Sequence, residues 1–156
     1  MVCEKLKRYL DGNGVEYEVI THSEAYTAQE IAAAMHVKGG MLVKVVMLKG
    51  ESGFMMAAVA AERVLDIAKL REEMGLRLAA LAREAEFRQL FPDCEPGAMP
   101  PFGNLYGVPV YVDEALSVSE YIVFQASTHY EAIKMRYADF ARLVEPRVMK
   151  ASRKAA

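Results

Sequence analysis

Two features of this chain have residue types and spacing that can do chemistry: a lysine inside an apolar run and a loop rich in glycine and proline. Lys44 stands in Leu42-Val43-Lys44-Val45-Val46-Met47-Leu48, with only apolar neighbours. A lysine there either snorkels or points to the opposite face from Val43 and Val45. Where that face lines a cavity, Lys44 is a fixed cation for a phosphate, hydroxyl or carboxylate. It is not a P-loop lysine, because the G-x-x-x-x-G-K-[ST] spacing is missing and valine follows it.

The loop is CEPGAMPPFGN, Cys94 to Asn104, with two glycines and three prolines in eleven residues. No helix or strand holds that spacing, since proline removes donors and fixes φ while glycine permits positive φ. Within Gly97-Ala98-Met99-Pro100-Pro101-Phe102-Gly103, the amides of Ala98, Met99, Phe102 and Gly103 have no expected ladder partner. Amides preset in a stiff loop are what an oxyanion or carbonyl oxygen needs. The competing reading is a turn that only reverses the chain.

The histidines offer less. His22, His36 and His129 have neither HExxH nor H-x₃-H spacing, and no cysteine pair accompanies them, so no metal site is predicted. His129 follows a predicted strand within Ser127-Thr128-His129. Cys94 lies between Asp93 and Glu95, which disfavours a thiolate and argues against a Cys94–His129 nucleophile pair. Asp113-Glu114 reads as a helix cap for Glu114–Val118 rather than a cation site. The ten methionines read as core filler.

The surrounding elements must position these groups. Residues 2–11 read as a short amphipathic helix stopped by Gly12 and Gly14, and 15–20 as a half-buried strand. Thr27 to Glu30 is a capping box that opens a helix through Met35. Gly39-Gly40 turns the chain into a strand over 41–48, with 53–61 as its hairpin partner. Asp66 caps a helix through Met74, and a second helix is expected over Ala80–Phe91. Residues 108–113, 121–127 and 131–136 read as strands, and Tyr137–Leu143 as a final helix ended before Pro146. Interspersed helices and hairpins predict an α/β chain of the α+β type. A mixed, mainly antiparallel sheet is flanked by helices, and the fold is not doubly wound.

The chain has 156 residues, 53% of them hydrophobic and 26% charged, which suits one globular domain. The start alternates charge with apolar residues, so no signal peptide is predicted, and no apolar run is long enough to span a bilayer. The expected address is the cytoplasm, without membrane contact. Cys3 and Cys94 are too far apart in sequence for a CxxC motif and too few for a disulfide framework. Net charge is −2, but residues 134–156 hold seven Lys/Arg against two acids. A basic end on an acidic body is a phosphate contact or a frayed terminus. The sequence pI of 6.0 argues against strong non-specific nucleic-acid binding.

The order of these pieces resembles the YbaK/ProX family of aminoacyl-tRNA editing domains, which also occurs as an insertion in bacterial prolyl-tRNA synthetases. The pieces are His22 to Glu30, the strand lysine Lys44, Glu95-Pro96-Gly97-Ala98-Met99-Pro100-Pro101-Phe102-Gly103, Val110 to Glu114, and Ser127-Thr128-His129. The resemblance runs from about Lys5 to Pro146, and the G-x-x-x-P spacing of Gly97 to Pro101 is among its most specific parts. It divides the chain into an editing domain over 1–146 and a basic tail over 147–156. It implies a curved, barrel-like sheet and a free-standing deacylase with no cofactor.

In that family the lysine matching Lys44 anchors the terminal adenosine, and the loop matching Gly97–Pro101 holds the aminoacyl carbonyl through its amides. A water attacks, assisted by the tRNA's own ribose hydroxyl. The site expected by resemblance is therefore Lys44 with Gly97, Ala98, Met99, Pro101, Phe102 and Gly103. His22, Tyr26, Thr27, Met99, Ser127 and His129 are the residues expected to touch the substrate. In the alanine-specific branch an asparagine commonly follows the lysine, whereas Val45 stands here. Serine, threonine, alanine and cysteine esters all stay open. The implied partner is the 3′ end of an aminoacyl-tRNA. The alternatives are a domain that docks on an aminoacyl-tRNA synthetase, or a non-catalytic nucleotide-binding module.

Overall fold

In a computed structural model, residues 3–23, 30, 31, 33 and 41–154 are described. Tyr26, Thr27, the Thr27 capping box, His36 and Gly39-Gly40 lie outside the described residues.

Local signals set most elements. Helix α1 (Glu4–Gly12) buries Leu6 and Leu10, one turn apart on one face. It leads to strand β1 (Tyr17–Thr21). Strands β2 (Val43–Gly50) and β3 (Gly53–Ala60) form the expected hairpin, paired from Val43↔Ala60 to Gly50↔Gly53. Strand β4 (Arg63–Leu65) precedes helix α2 (Ile67–Met74). Asp66 caps α2 by accepting from the Lys69 N–H at 3.1 Å, and Gly75 ends it in the left-handed region at φ 66°.

The helix expected over Ala80–Phe91 does not form. Ala79–Leu81 is strand β5, antiparallel to Leu48–Gly50 at the edge of the sheet. Only Glu84–Phe87 is α-helical (α3), and a 3₁₀ turn follows over Arg88–Leu90. The open edge of β2 offers a row of unpaired donors and acceptors, which outweighs the helix propensity of this alanine-rich stretch. Phe87 and Phe91 remain buried against the core.

Strand β6 (Val110–Asp113) runs parallel to β3, with Met56↔Val110. Asp113 caps the short helix α4 (Glu114–Ser117), accepting from the Ala115 N–H at 3.2 Å. Strands β7 (Tyr121–Gln125) and β8 (Glu131–Arg136) pair antiparallel, and β8 pairs with β1. Helix α5 (Tyr137–Val144) ends at Glu145, just before Pro146. Residues set apart in the sequence as a basic tail are built into the fold: β9 (Arg147–Met149) runs parallel to β6, and β10 (Ser152–Lys154) pairs antiparallel with β4.

The sheets are β5-β2-β3-β6-β9, β1-β8-β7 and β10-β4, with a parallel bridge Leu42↔Val123 joining the first two. The mixed α/β architecture is the one the sequence predicts. The five-stranded sheet is covered on both faces, which explains the near-continuous apolar run of β3. Val43, Met47, Met56 and Ala58 face a large core with α1, α5 and the three-stranded sheet. Leu48, Ala57 and Val59 face a smaller one with Leu70 and Met149. Among the described residues, no helix is long and apolar enough to cross a membrane.

Candidate functional site

The loop begins with a tight turn. In Glu95-Pro96-Gly97-Ala98, Pro96 presets φ at the second position and Gly97 takes φ +81° at the third, the signature of a type II turn. The Ala98 N–H closes it by donating to the Glu95 carbonyl at 3.0 Å. The Ala98 amide, expected to be free, is thus consumed by the turn. Its carbonyl accepts from the Ser127 N–H at 2.9 Å.

That bond is one of four that fasten this turn to residues 127–129. The Glu95 N–H donates to the Ser127 carbonyl at 2.7 Å. The Glu95 carboxylate Oε1 accepts from the His129 N–H at 2.7 Å. The His129 ring Nε2 lies 2.6 Å from the Pro96 carbonyl, and since a carbonyl only accepts, Nε2 carries a proton and donates. Ser127 sits at φ 79°, an uncommon conformation for a residue with a Cβ, and its buried Oγ has no hydrogen-bond partner among the described residues. Ser127 and His129, expected to touch substrate, bond to the loop in this way and are not among the described residues lining the cleft.

Gly97 and Met99 line a cleft of about 240 Å³ together with Lys44, Leu42, Phe124 and Gln125. Their amides, like those of Phe102 and Gly103, have no acceptor among the described residues, and of these four donors Gly97 and Met99 belong to the cleft lining. Lys44 is the one charged side chain among the described residues lining the cleft. Val43 and Val45 line the same cleft, and strand alternation sets the Lys44 side chain on the opposite face of β2 from theirs. Its ammonium donates to the carbonyl of Arg63, two residues beyond Ala61, which also borders the cleft. An ammonium has three donors, so this bond leaves two available.

The end of the loop packs into the core. Phe102 is fully buried at an aromatic junction, with ring centroids 5.5 Å from Phe124, 5.5 Å from Phe140 and 6.3 Å from Tyr9. Gly103 is required by packing, because a Cβ there would meet the Val108 carbonyl oxygen at 2.5 Å. The carbonyls of Phe102 and Gly103 accept from Leu105 and Val108, and Pro101 is buried. His22 is buried, its Nδ1 donating to the Ser23 carbonyl at 2.9 Å and its N–H to the Tyr130 carbonyl at 2.6 Å. Tyr26 and Thr27 lie outside the described residues.

Three residues were not singled out from sequence. Gln125 lines the cleft, and its amide nitrogen donates to the Thr128 and Glu131 carbonyls at 3.2 and 3.0 Å. A glutamine closing the apolar Tyr121–Phe124 run was the available signal. The Glu95 clasp and the Arg63 carbonyl carried none, since both depend on tertiary neighbours.

Cys94 is not poised as a nucleophile. Burial pushes its thiol pKa up, and its Sγ lies 3.5 Å from the Tyr106 hydroxyl, which donates to Asp93 at 3.0 Å. A larger cavity of about 450 Å³ opens beside the β2–β3 turn, but its described lining includes a carboxylate, Glu51, and no cation. Lys44 and the two spare amides make the smaller cleft the better host for an anionic, carbonyl-bearing ligand.

Comparison with known proteins gives the family. The sequence profile of the aminoacyl-tRNA editing domain matches residues 22–143. The Escherichia coli K12 multifunctional Ser/Thr-tRNA deacylase ProXp-y is 25% identical over 151 residues, covering 94% of this chain and 90% of that protein. A crystal structure described as a trans-editing enzyme for prolyl-tRNA synthetase superposes with a TM-score of 0.82 at 23% identity, covering 97% of this chain and 96% of the other. Another, described as a hypothetical protein, reaches 0.81 at 18% identity, covering 96% and 100%. The chain belongs to the aminoacyl-tRNA editing domain family, in its YbaK/ProX branch. It is an aminoacyl-tRNA deacylase by class, a hydrolase of translation fidelity.

Proposed function

We propose that this chain acts in trans on tRNA mischarged with a small amino acid of the Ser, Thr, Ala or Cys type, cleaving the ester at the 3′ end. The observation that carries this reading is that Lys44, Gly97 and Met99 line one small cleft, with the two loop amides unpartnered among the described residues. The two spare donors of Lys44 hold the terminal adenosine through a hydroxyl or phosphate oxygen. The Gly97 and Met99 amides receive the ester carbonyl oxygen. A water, its proton taken up with help from the neighbouring ribose hydroxyl, adds to the carbonyl carbon. The oxyanion that forms is held by the amides; the bond to the ribose oxygen then breaks and that oxygen takes the proton. Free amino acid and uncharged tRNA leave.

An aminoacyl ester is already activated, so positioning and oxyanion stabilisation supply most of the acceleration without a protein nucleophile. The amides cost no reorganisation, because the Glu95 turn and its four bonds hold them in place before substrate arrives. Met99 and Phe124 give the cleft an apolar wall, and Gln125, its amide nitrogen held by Thr128 and Glu131, keeps an amide oxygen to accept from a side-chain hydroxyl, which suits serine and threonine. The Ser/Thr activity in the name of the Escherichia coli relative supports the same choice. The cleft's size rejects larger side chains by sterics, the cheaper form of discrimination.

The test is a deacylation panel with Ala-, Ser-, Thr-, Cys- and Pro-charged tRNA, run beside Lys44→Ala. Rapid loss of Ser or Thr that Lys44→Ala slows at least tenfold is the expected result. No hydrolysis of any ester by the unaltered protein would overturn the reading.

A further inference from the structure

The C-terminal strand places unneutralised positive charge beside the cleft. Strand β10 pairs with β4 in the register Ser152↔Leu65, Arg153↔Val64, Lys154↔Arg63. Directly opposed residues of an antiparallel pair share a face, so Lys154 and Arg63 lie side by side on one face and Arg153 lies on the other. Like charges in that relationship repel. The Arg63 guanidinium is steadied by Ser152, donating from Nε to Oγ at 2.6 Å and from Nη2 to the carbonyl at 3.1 Å. No carboxylate pairs with Arg63 or Lys154 among the described residues. Asp113, the nearest acid in the hydrogen-bond chain, spends its oxygens on Ser152 Oγ and the Ala115 and Ala151 N–H groups. The same Arg63 carries, on its carbonyl, the ammonium of Lys44. Lys44, Arg63 and Lys154 are thus linked in one chain of contacts, from the Lys44 ammonium to the Arg63 backbone and across the strand pair to Lys154.

We propose that the β4–β10 ribbon binds backbone phosphates of the RNA strand that delivers the 3′ end to the cleft, with Arg63 and Lys154 as the contacts. The proposal rests on the deacylase reading for the identity of the RNA. A phosphate between the two cations replaces their repulsion with two attractions, and the guanidinium still has donors to offer it. Strand pairing fixes the backbone that carries both cations, so little loop ordering opposes binding. Arg153, on the other face, contributes nothing to this contact.

The experiment measures binding of a non-hydrolysable acceptor-stem hairpin, with serine joined to the 3′ end by an amide, across a range of salt concentrations. The same seryl amide on adenosine alone is the short probe. Lys154→Gln and Lys154→Glu are expected to weaken hairpin binding several-fold and to lower the slope of log K against log salt by about one. Binding of the short probe should be unchanged, and Arg153→Gln should match the unaltered protein on both probes. Unchanged hairpin affinity and slope in the Lys154 variants would overturn the ribbon, as would equal losses in Arg153→Gln, or no hairpin binding by the unaltered protein. The deacylation panel is scored separately. Loss of the ribbon effect with esters still hydrolysed removes only this proposal. Absent hydrolysis with ribbon-dependent binding removes the reaction assigned to the cleft and retains the RNA surface.

Discussion

Glu95 and His129 hold each other across two loops: the Glu95 carboxylate accepts the His129 N–H at 2.7 Å, and the His129 ring donates back to the carbonyl of Pro96, the residue after Glu95, at 2.6 Å. This reciprocal clasp fixes the turn whose Gly97 borders the cleft. It gives His129 a positioning role that its place in the sequence does not reveal.

Breaking the clasp should reduce activity with little loss of substrate affinity. Glu95→Ala leaves the His129 N–H without its acceptor, at a cost of about 1–3 kcal/mol where it is buried. Glu95→Gln keeps an acceptor oxygen. The expected result is a kcat at least tenfold lower in Glu95→Ala, substantially restored in Glu95→Gln, with KM moved less than kcat. Equal kinetics for Glu95→Ala and the unaltered protein would refute the positioning role.

The two loop glycines should fail differently. Gly97→Ala places a Cβ at φ +81° and within 3.4 Å of the His129 ring carbon Cε1. The left-handed conformation alone costs about 1–2 kcal/mol. Loss of deacylation should exceed the loss of stability, because the strained turn carries the amides. Gly103→Ala drives a Cβ to 2.5 Å from the Val108 carbonyl oxygen and 2.9 Å from the Val110 Cγ2. Backbone must move, so a lowered melting temperature or insoluble protein is expected. Gly12→Ala meets no atom within 4 Å and is the neutral control. Thermal melts of the three variants decide the order.

Acid should act in part through Glu86. The hydrogen bond from Lys49 at 2.7 Å, followed by that from the Arg83 N–H, lowers its pKa from 4.5 to about 2. A carboxylate depressed on folding adds stability that is fully present above its unfolded pKa and is lost as pH falls through its folded one. The contribution therefore disappears between about pH 4.5 and 2. Glu86→Gln should melt lower than the unaltered protein at pH 7, with the difference narrowing through that window. A difference independent of pH would disprove the assignment.

Asp113 should anchor the C-terminal strands. It is 2% exposed, and its carboxylate accepts from Ala115, Ala151 and Ser152, tying α4 to the segment between β9 and β10. Asp113→Ala orphans these donors and should cost roughly 2–4 kcal/mol, by analogy with other broken buried networks. Amide hydrogen exchange should report faster exchange at 147–154 than the global loss explains. Protection at 147–154 that merely follows the global change would count against the anchor.

Sequence alone determined the features whose causes are local. The Asp66 cap and Gly75 stop of α2, the β2–β3 hairpin, the final helix ahead of Pro146 and the rigidity of Glu95-Pro96-Gly97-Ala98 all follow from residues within a turn of each other. The strand lysine and the loop also carry the resemblance that names the family. Tertiary structure decided the features that depend on a distant partner. Ala79–Leu81 became a strand because β2 had an open edge, and 147–154 joined the fold because β6 and β4 had edges to pair with. His129 came to donate to the Pro96 carbonyl because residues 127–129 fold back against the loop. Propensity and spacing are properties of neighbours along the chain, whereas a donor is free or spent according to what folding brings within 3 Å of it.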